Sequence, residues 1–137
     1  MISNSNTFQK TITNEISFEG IGLHSGVSSK IILKPAPVDY GIKFFIDDII
    51  IPASIDYINS TVRGTNLQKN DISIMTIEHL LSALYALEID NLKIDISNVE
   101  VPILDGTAKI FIEEIKKQKF VNQNKKRKEF VVEKLIS

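Results

Sequence analysis

Cysteine is absent from this chain. That excludes disulfide frameworks and cysteine-based zinc sites. Histidine is scarce: only His24 and His79 occur. No apolar run approaches the roughly 20 residues that span a bilayer. The opening residues, Met1 to Asn6, lack the basic stretch and apolar segment of a secretory leader. Charge of one sign is also missing, since the net charge is -1. No nucleic-acid or anionic-membrane partner is therefore indicated by the overall balance. A reducing, cytoplasmic setting is the expectation.

What remains is ordinary soluble material. Apolar residues make up 43% and charged residues 24% of the 137, which suits one domain with a real core. The pattern divides into three segments. Residues 7–74 read mostly as strands. Ser29 to Lys34 and Ile42 to Ile46 are short and β-rich, and Ile49 to Ile58 reads as another strand in which Pro52 signals an edge or a bulge. Gly20, Gly22 and Gly26 around His24 mark tight turns.

Residues 75–120 mix two helices and a strand. Met75 to Leu87 carries Ile77, Leu80, Leu81, Leu84 and Leu87, an amphipathic stripe. Leu92 to Ile96 alternates as a strand does. Thr107 to Lys117 places Ala108, Phe111, Ile112 and Ile115 at helical spacing. The expected fold class is therefore α+β: a mostly antiparallel sheet packed against two helices, in a domain covering residues 1–120. Residues 121–137 read as a basic, solvated linker, Asn122 to Lys128, and an opening strand, Glu129 to Leu135, of a further domain.

The chemistry concentrates on Glu78-His79. Stepping about 100° per residue from Ile77, the leucines fall within about 80° of that direction. Glu78, His79, Ser82, Ala83 and Ala86 take the rest of the circumference, a face of small residues that permits close approach of a helix or ligand. A neutral imidazole ligates zinc well, and a neighbouring carboxylate can accept a proton from activated water. A Glu-His pair on a helix is also what an ordinary solvated helix start looks like, and catalytic zinc usually has three protein ligands. His24 suits either a structural turn or a place near a site. Asp105, ahead of the second helix, suits a cap or turn as well as a site.

At these residues the sequence resembles the UDP-3-O-acyl-N-acetylglucosamine deacetylases over about residues 8–120. The pieces are Gly20-Ile21-Gly22-Leu23-His24-Ser25-Gly26, Leu33-Lys34-Pro35-Ala36-Pro37, Thr76 to Leu84, Ile89-Asp90-Asn91 and Val101 to Gly106. The resemblance implies a zinc-dependent amidohydrolase of lipid A synthesis, acting in the cytoplasm of Gram-negative-type bacteria. It would remove the N-acetyl group from a UDP-linked, 3-O-acylated glucosamine. The family's fold pairs two similar α+β domains, with the helices of both sandwiched between two sheets. Glu78 matches the general base and His79 a zinc ligand. Thr61 to Asn66 aligns with a stretch lining the substrate site, which makes Val62, Arg63 and Gly64 candidate contacts. Glu88 stands where many relatives have glycine after the helix.

The family takes its other ligands, a His and an Asp four residues apart, from its second half, and a further catalytic His follows there. Here Ser28 stands four residues after His24 and Ala83 four after His79, and there is no third histidine. Two readings follow. In one, the chain is the N-terminal half of the deacetylase and needs a second domain for catalysis. In the other, it is a non-catalytic module that binds a UDP-sugar or pairs with an intact homologue. Either way the helix layer is expected to meet a second deacetylase domain or a second copy of the chain.

Overall fold

The computed structural model describes residues 7–61 and 64–127. Ten strands occur in order among them: β1 (Phe8–Ile12), β2 (Ile16–Ile21), β3 (Ser28–Pro35), β4 (Ile42–Ile46), β5 (Ile49–Pro52), β6 (Ile58–Thr61), β7 (Gly64–Lys69), β8 (Ile72–Ile74), β9 (Leu92–Ile96) and β10 (Phe120–Lys126). Helix α1 (Glu78–Ala86) lies between β8 and β9, and α2 (Lys109–Lys116) between β9 and β10.

The strands form three sheets rather than one. The largest has the order β2-β3-β9-β4-β5 and is antiparallel except where β4 runs parallel to β9. Its register builds the core. Leu33 faces Ile94, Ile94 faces Phe44, and Phe44 faces Ile51. All four side chains are fully buried. Alternation along each strand sends Lys34, Lys43, Lys93 and Asp95 to the other face, where Lys34 pairs with Asp95 at 2.6 Å. β6, β7 and β8 make an antiparallel sheet in which Leu67 faces Ile74, both buried.

The two helices close the core. Leu80, Ala83 and Leu84 of α1 and Phe111 and Ile115 of α2 join the same buried cluster as the sheet residues. Phe111 meets Phe18 edge-to-face, with centroids 4.9 Å apart, a favoured aromatic geometry. No helix among the described residues is long and apolar enough to cross a membrane. The α+β class stands, with helices on a mostly antiparallel framework.

Several local expectations change. Ile49 to Ile58 is not one strand. β5 stops at Pro52, on the edge of its sheet, and a 3-10 turn at Ile55–Tyr57 leads into β6. The helix from Met75 starts three residues later, because Met75 bridges to Glu100 in parallel and Thr76 adopts a φ of 62°. The burial face of α1 is turned towards Ala83, which is fully buried, while Leu81 is only half-buried. Ala83 therefore belongs to the core and not to the open face.

The polar run that reads as a linker is a strand as far as Lys126. β10 pairs antiparallel with β1. Buried Asn91 holds it there: its Nδ2 donates to Gln123 Oε1 at 2.8 Å and to Gln9 Oε1 at 2.9 Å. Beyond it Arg127 donates to Asp90 and Glu88, both at 2.9 Å. The expected strand from Glu129 to Leu135 lies outside the described residues.

Candidate active site

The site begins where α1 begins. Thr76 is β-branched and holds a left-handed backbone conformation, which is costly for such a residue. It persists because its surroundings fix it. Its amide donates to Asn66 Oδ1 at 3.2 Å, and its hydroxyl donates to Glu100 Oε2. The next amide, of Ile77, donates to the Thr65 carbonyl at 3.1 Å. The chain thus turns sharply out of a strand-like path and delivers Glu78 and His79 as the first two residues of the helix.

Both side chains are half-buried rather than sunk among the leucines. On a helix of 3.6 residues per turn they lie about 100° apart, flanking Ser82 on the face that also carries Tyr85 and Ala86. Ser82, Tyr85 and Ala86 are exposed, Tyr85 at 84%. The face remains open while the opposite side is packed.

The Glu78 carboxylate is oriented. Its Oε2 accepts the Thr65 amide at 2.6 Å. Gly64 runs so close that a Cβ there would stand 2.9 Å from Oε2, and its φ is 125°. Gly64, a candidate substrate contact from sequence, is therefore brought directly against Glu78. Val62 and Arg63, the other two, lie outside the described residues.

His24 is exposed at the turn between β2 and β3. Its amide, not its imidazole, makes the notable contact, donating to both Glu100 oxygens at 3.1 Å. The Ser25 amide adds a bond to Oε1 at 2.7 Å. Asp105 is exposed and accepts the Thr107 amide at 3.0 Å, and the Thr107 hydroxyl in turn accepts the Lys109 amide at 3.1 Å. The Thr107 amide holds the Asp105 carboxyl below its ordinary pKa. In this arrangement Asp105 shapes the turn into α2.

Glu100 was not singled out by sequence. It is 1% exposed, yet ringed by donors from Thr76, His24 and Ser25. Burial pushes its pKa up, and these hydrogen bonds outweigh burial and lower it. A Cβ at Gly22 would sit 2.3 Å from its Oε1, so only glycine fits there. The available signal was a lone acid between Val99 and Val101-Pro102, in a stretch otherwise apolar.

The donor set suits one position of a zinc site. An accessible imidazole sits beside an oriented carboxylate at a helix start. Among the described residues no group of three His, Asp or Glu side chains converges to hold a metal.

The chain is similar to known proteins. Residues 9–137 match the family model of UDP-3-O-acyl N-acetylglycosamine deacetylase. The chain is 41% identical to the UDP-3-O-acyl-N-acetylglucosamine deacetylase of Aquifex aeolicus over 128 residues, 93% of this chain and 45% of that protein. It is 42% identical to the protein of the same name from Helicobacter hepaticus, covering 93% and 44%. It is 41% identical to the bifunctional enzyme LpxC/FabZ of Chlorobaculum tepidum, covering 93% and 28%. The chain thus spans less than half the length of these relatives. It belongs to the UDP-3-O-acyl N-acetylglycosamine deacetylase family.

Proposed function

We propose that this chain supplies the first half of a zinc-dependent deacetylase acting in the cytoplasm on a UDP-linked, 3-O-acylated N-acetylglucosamine. A second unit supplies the remaining ligands. The observation that carries this reading is the start of α1. Glu78 and His79 are held at an open helix end, with the Glu78 carboxylate set by the Thr65 amide at 2.6 Å.

His79 would hold the zinc. When bound, zinc lowers the pKa of a coordinated water to about 7 and polarises a carbonyl. Glu78 accepts a proton from water, as a general base must within hydrogen-bond reach. Gly64, pressed against that carboxylate, lets the backbone pass beside it and leaves the carboxylate on the Thr65 amide. The exposed side of α1, with Ser82, Tyr85 and Ala86, is the surface on which the second unit would pack. A second copy of the chain is the alternative occupant.

Reconstitution tests this. The chain is mixed with a separately produced second half of a relative, and zinc content and release of acetate are measured. Glu78→Ala should lower turnover by several orders of magnitude with zinc content nearly normal. His79→Ala should lose zinc first. Wild-type turnover from the Glu78 variant, or full turnover from the chain alone, would refute the assignment.

A further inference from the structure

Glu100 stands at a crossing of three segments distant in sequence. Its backbone neighbours clamp the strand-like residue before the turn: the Met75 amide donates to the Val99 carbonyl at 2.7 Å, and the Val101 amide to the Met75 carbonyl at 3.1 Å. Its side chain reaches the opposite way. One oxygen takes the Ser25 amide at 2.7 Å, the other takes the Thr76 hydroxyl, and both take the His24 amide at 3.1 Å. Buried carboxylates are costly unless every lone pair is used. Here they are used on two elements, the Gly22–Gly26 turn and Thr76, the strained residue two positions before α1. The turn closes on itself, with the Gly22 amide on the Val27 carbonyl and the Gly26 amide on the Gly22 carbonyl, both at 3.0 Å. It cups one side of the carboxylate.

We propose that Glu100 is a positioning residue that locks the Gly22–Gly26 turn to Thr76 and so fixes the direction in which Glu78 and His79 leave the sheet. This rests on the proposed roles of Glu78 and His79 and extends them to the group that aims them. A left-handed β-branched residue relaxes readily once its hydroxyl loses its partner. Relaxation of Thr76 would rotate the first turn of α1, because the next residue, Ile77, ties the helix start to the Thr65 carbonyl.

The test uses NMR of the metal-free chain, whose two histidines give two separable ring signals. His79→Ala assigns them. Thr76→Val exchanges the hydroxyl for a methyl group, and the core amides of Leu33 and Ile94 check that the fold survives. It should shift and broaden the His79 ring signal and speed exchange of the Thr65 and Ile77 amides at least tenfold. Amides of Leu33 and Ile94 in the core should hold their rates. Glu100→Leu, which keeps the bulk but removes both acceptor oxygens, should do the same and also free the His24 and Ser25 amides. Thr76→Ser, which keeps the hydroxyl, should match the wild type. If Thr76→Val leaves the His79 signal and the Thr65 and Ile77 amides unchanged, or if Thr76→Ser disturbs them equally, Glu100 does not position the pair. In the reconstituted enzyme Thr76→Val should lower kcat at least tenfold with KM within about twofold. The ring signals report positioning without turnover, so absence of turnover from the wild-type pair would sink the proposed function alone.

Discussion

A Cβ at position 64 would stand 2.9 Å from Oε2 of Glu78, the oxygen that also accepts the Thr65 amide. Backbone and carboxylate are thus fitted to each other with no room for a methyl group. Gly64 also has φ at 125°, where an L-residue is strained by about 1–3 kcal/mol. Gly64→Ala should therefore act twice. It should lower the stability of the chain by about 1–3 kcal/mol in urea denaturation, and it should push the Glu78 side chain off the Thr65 amide. In the reconstituted enzyme turnover should fall by at least tenfold while zinc content stays normal. Normal turnover would show that the close approach has no catalytic consequence.

Glu100 gives the protein a predictable response to acid. Burial raises its pKa, but the bonds from Thr76, Ser25 and His24 outweigh that and lower it in the folded chain. A group with a depressed folded pKa stabilises the fold above its unfolded value, about 4.3 for Glu, and the contribution is lost as pH falls through the folded value. Wild type should therefore exceed Glu100→Gln in stability most clearly above about pH 4.3, and the gap should narrow steadily below it. Urea midpoints for the two proteins from pH 7 to pH 3 check this. A gap that widens on acidification would mean that the hydrogen bonds do not favour the charged form.

The parts legible in sequence are those governed by local periodicity. Leu92–Ile96 alternates buried and half-buried as its pattern predicts, and Ile42–Ile46 occupies the strand expected of it. The leucines of α1 were equally readable, because a helical stripe needs no distant partner. Its first residue was not. Thr76 is turned by Asn66 and Glu100, 10 and 24 residues away, and no local pattern encodes such bonds. The leucine stripe puts Ala83 on the open face for a related reason: the partner surface, not the stripe alone, sets which arc is buried. Glu78 and His79 were recognisable as a chemical pair, whereas the residues that aim them, Thr65, Thr76 and Glu100, became visible only in three dimensions. β10 is hidden by composition, since most of its polar residues face solvent and Gln123 alone is held by Asn91 and Ala36.

Asn91 should prove expensive to replace. It is buried, and its side chain serves three segments: Nδ2 donates to Gln9 and Gln123, and Oδ1 accepts the Gly41 amide at 2.9 Å. Asn91→Ala leaves those groups unpaired in a low-dielectric interior, at about 1–3 kcal/mol for each that stays buried. The expected loss is at least about 2 kcal/mol, with amide exchange in β10 rising before that in β9. Asn91→Asp is the sharper control. It keeps the shape but sets a carboxylate against two amide oxygens, and should be no more stable than the alanine variant near neutral pH. A stable aspartate variant would require the Gln9 and Gln123 amides to turn over.

Glu88 ends α1 in the position that most favours glycine. The Glu88 amide donates to the Tyr85 carbonyl at 3.1 Å and the Ile89 amide to the Leu84 carbonyl at 3.0 Å, the paired bonds of a Schellman cap. Leu84 and Ile89, both buried, supply the accompanying apolar contact. Glu88 itself takes φ of 57°, a left-handed conformation that costs a residue with a side chain about 1–2 kcal/mol. Its side chain offsets part of this through Arg127 at 2.9 Å and Lys10 at 3.7 Å. Those pairs are half-exposed, worth about 0–1 kcal/mol, and screened by salt. Glu88→Gly should thus be close to neutral at low ionic strength and should stabilise the chain by about 0.5–1 kcal/mol in 1 M salt. Urea denaturation at the two salt concentrations separates the terms. A variant less stable than wild type even in high salt, where the ion pairs are screened, would show that glycine's chain entropy costs more than the left-handed conformation of Glu88.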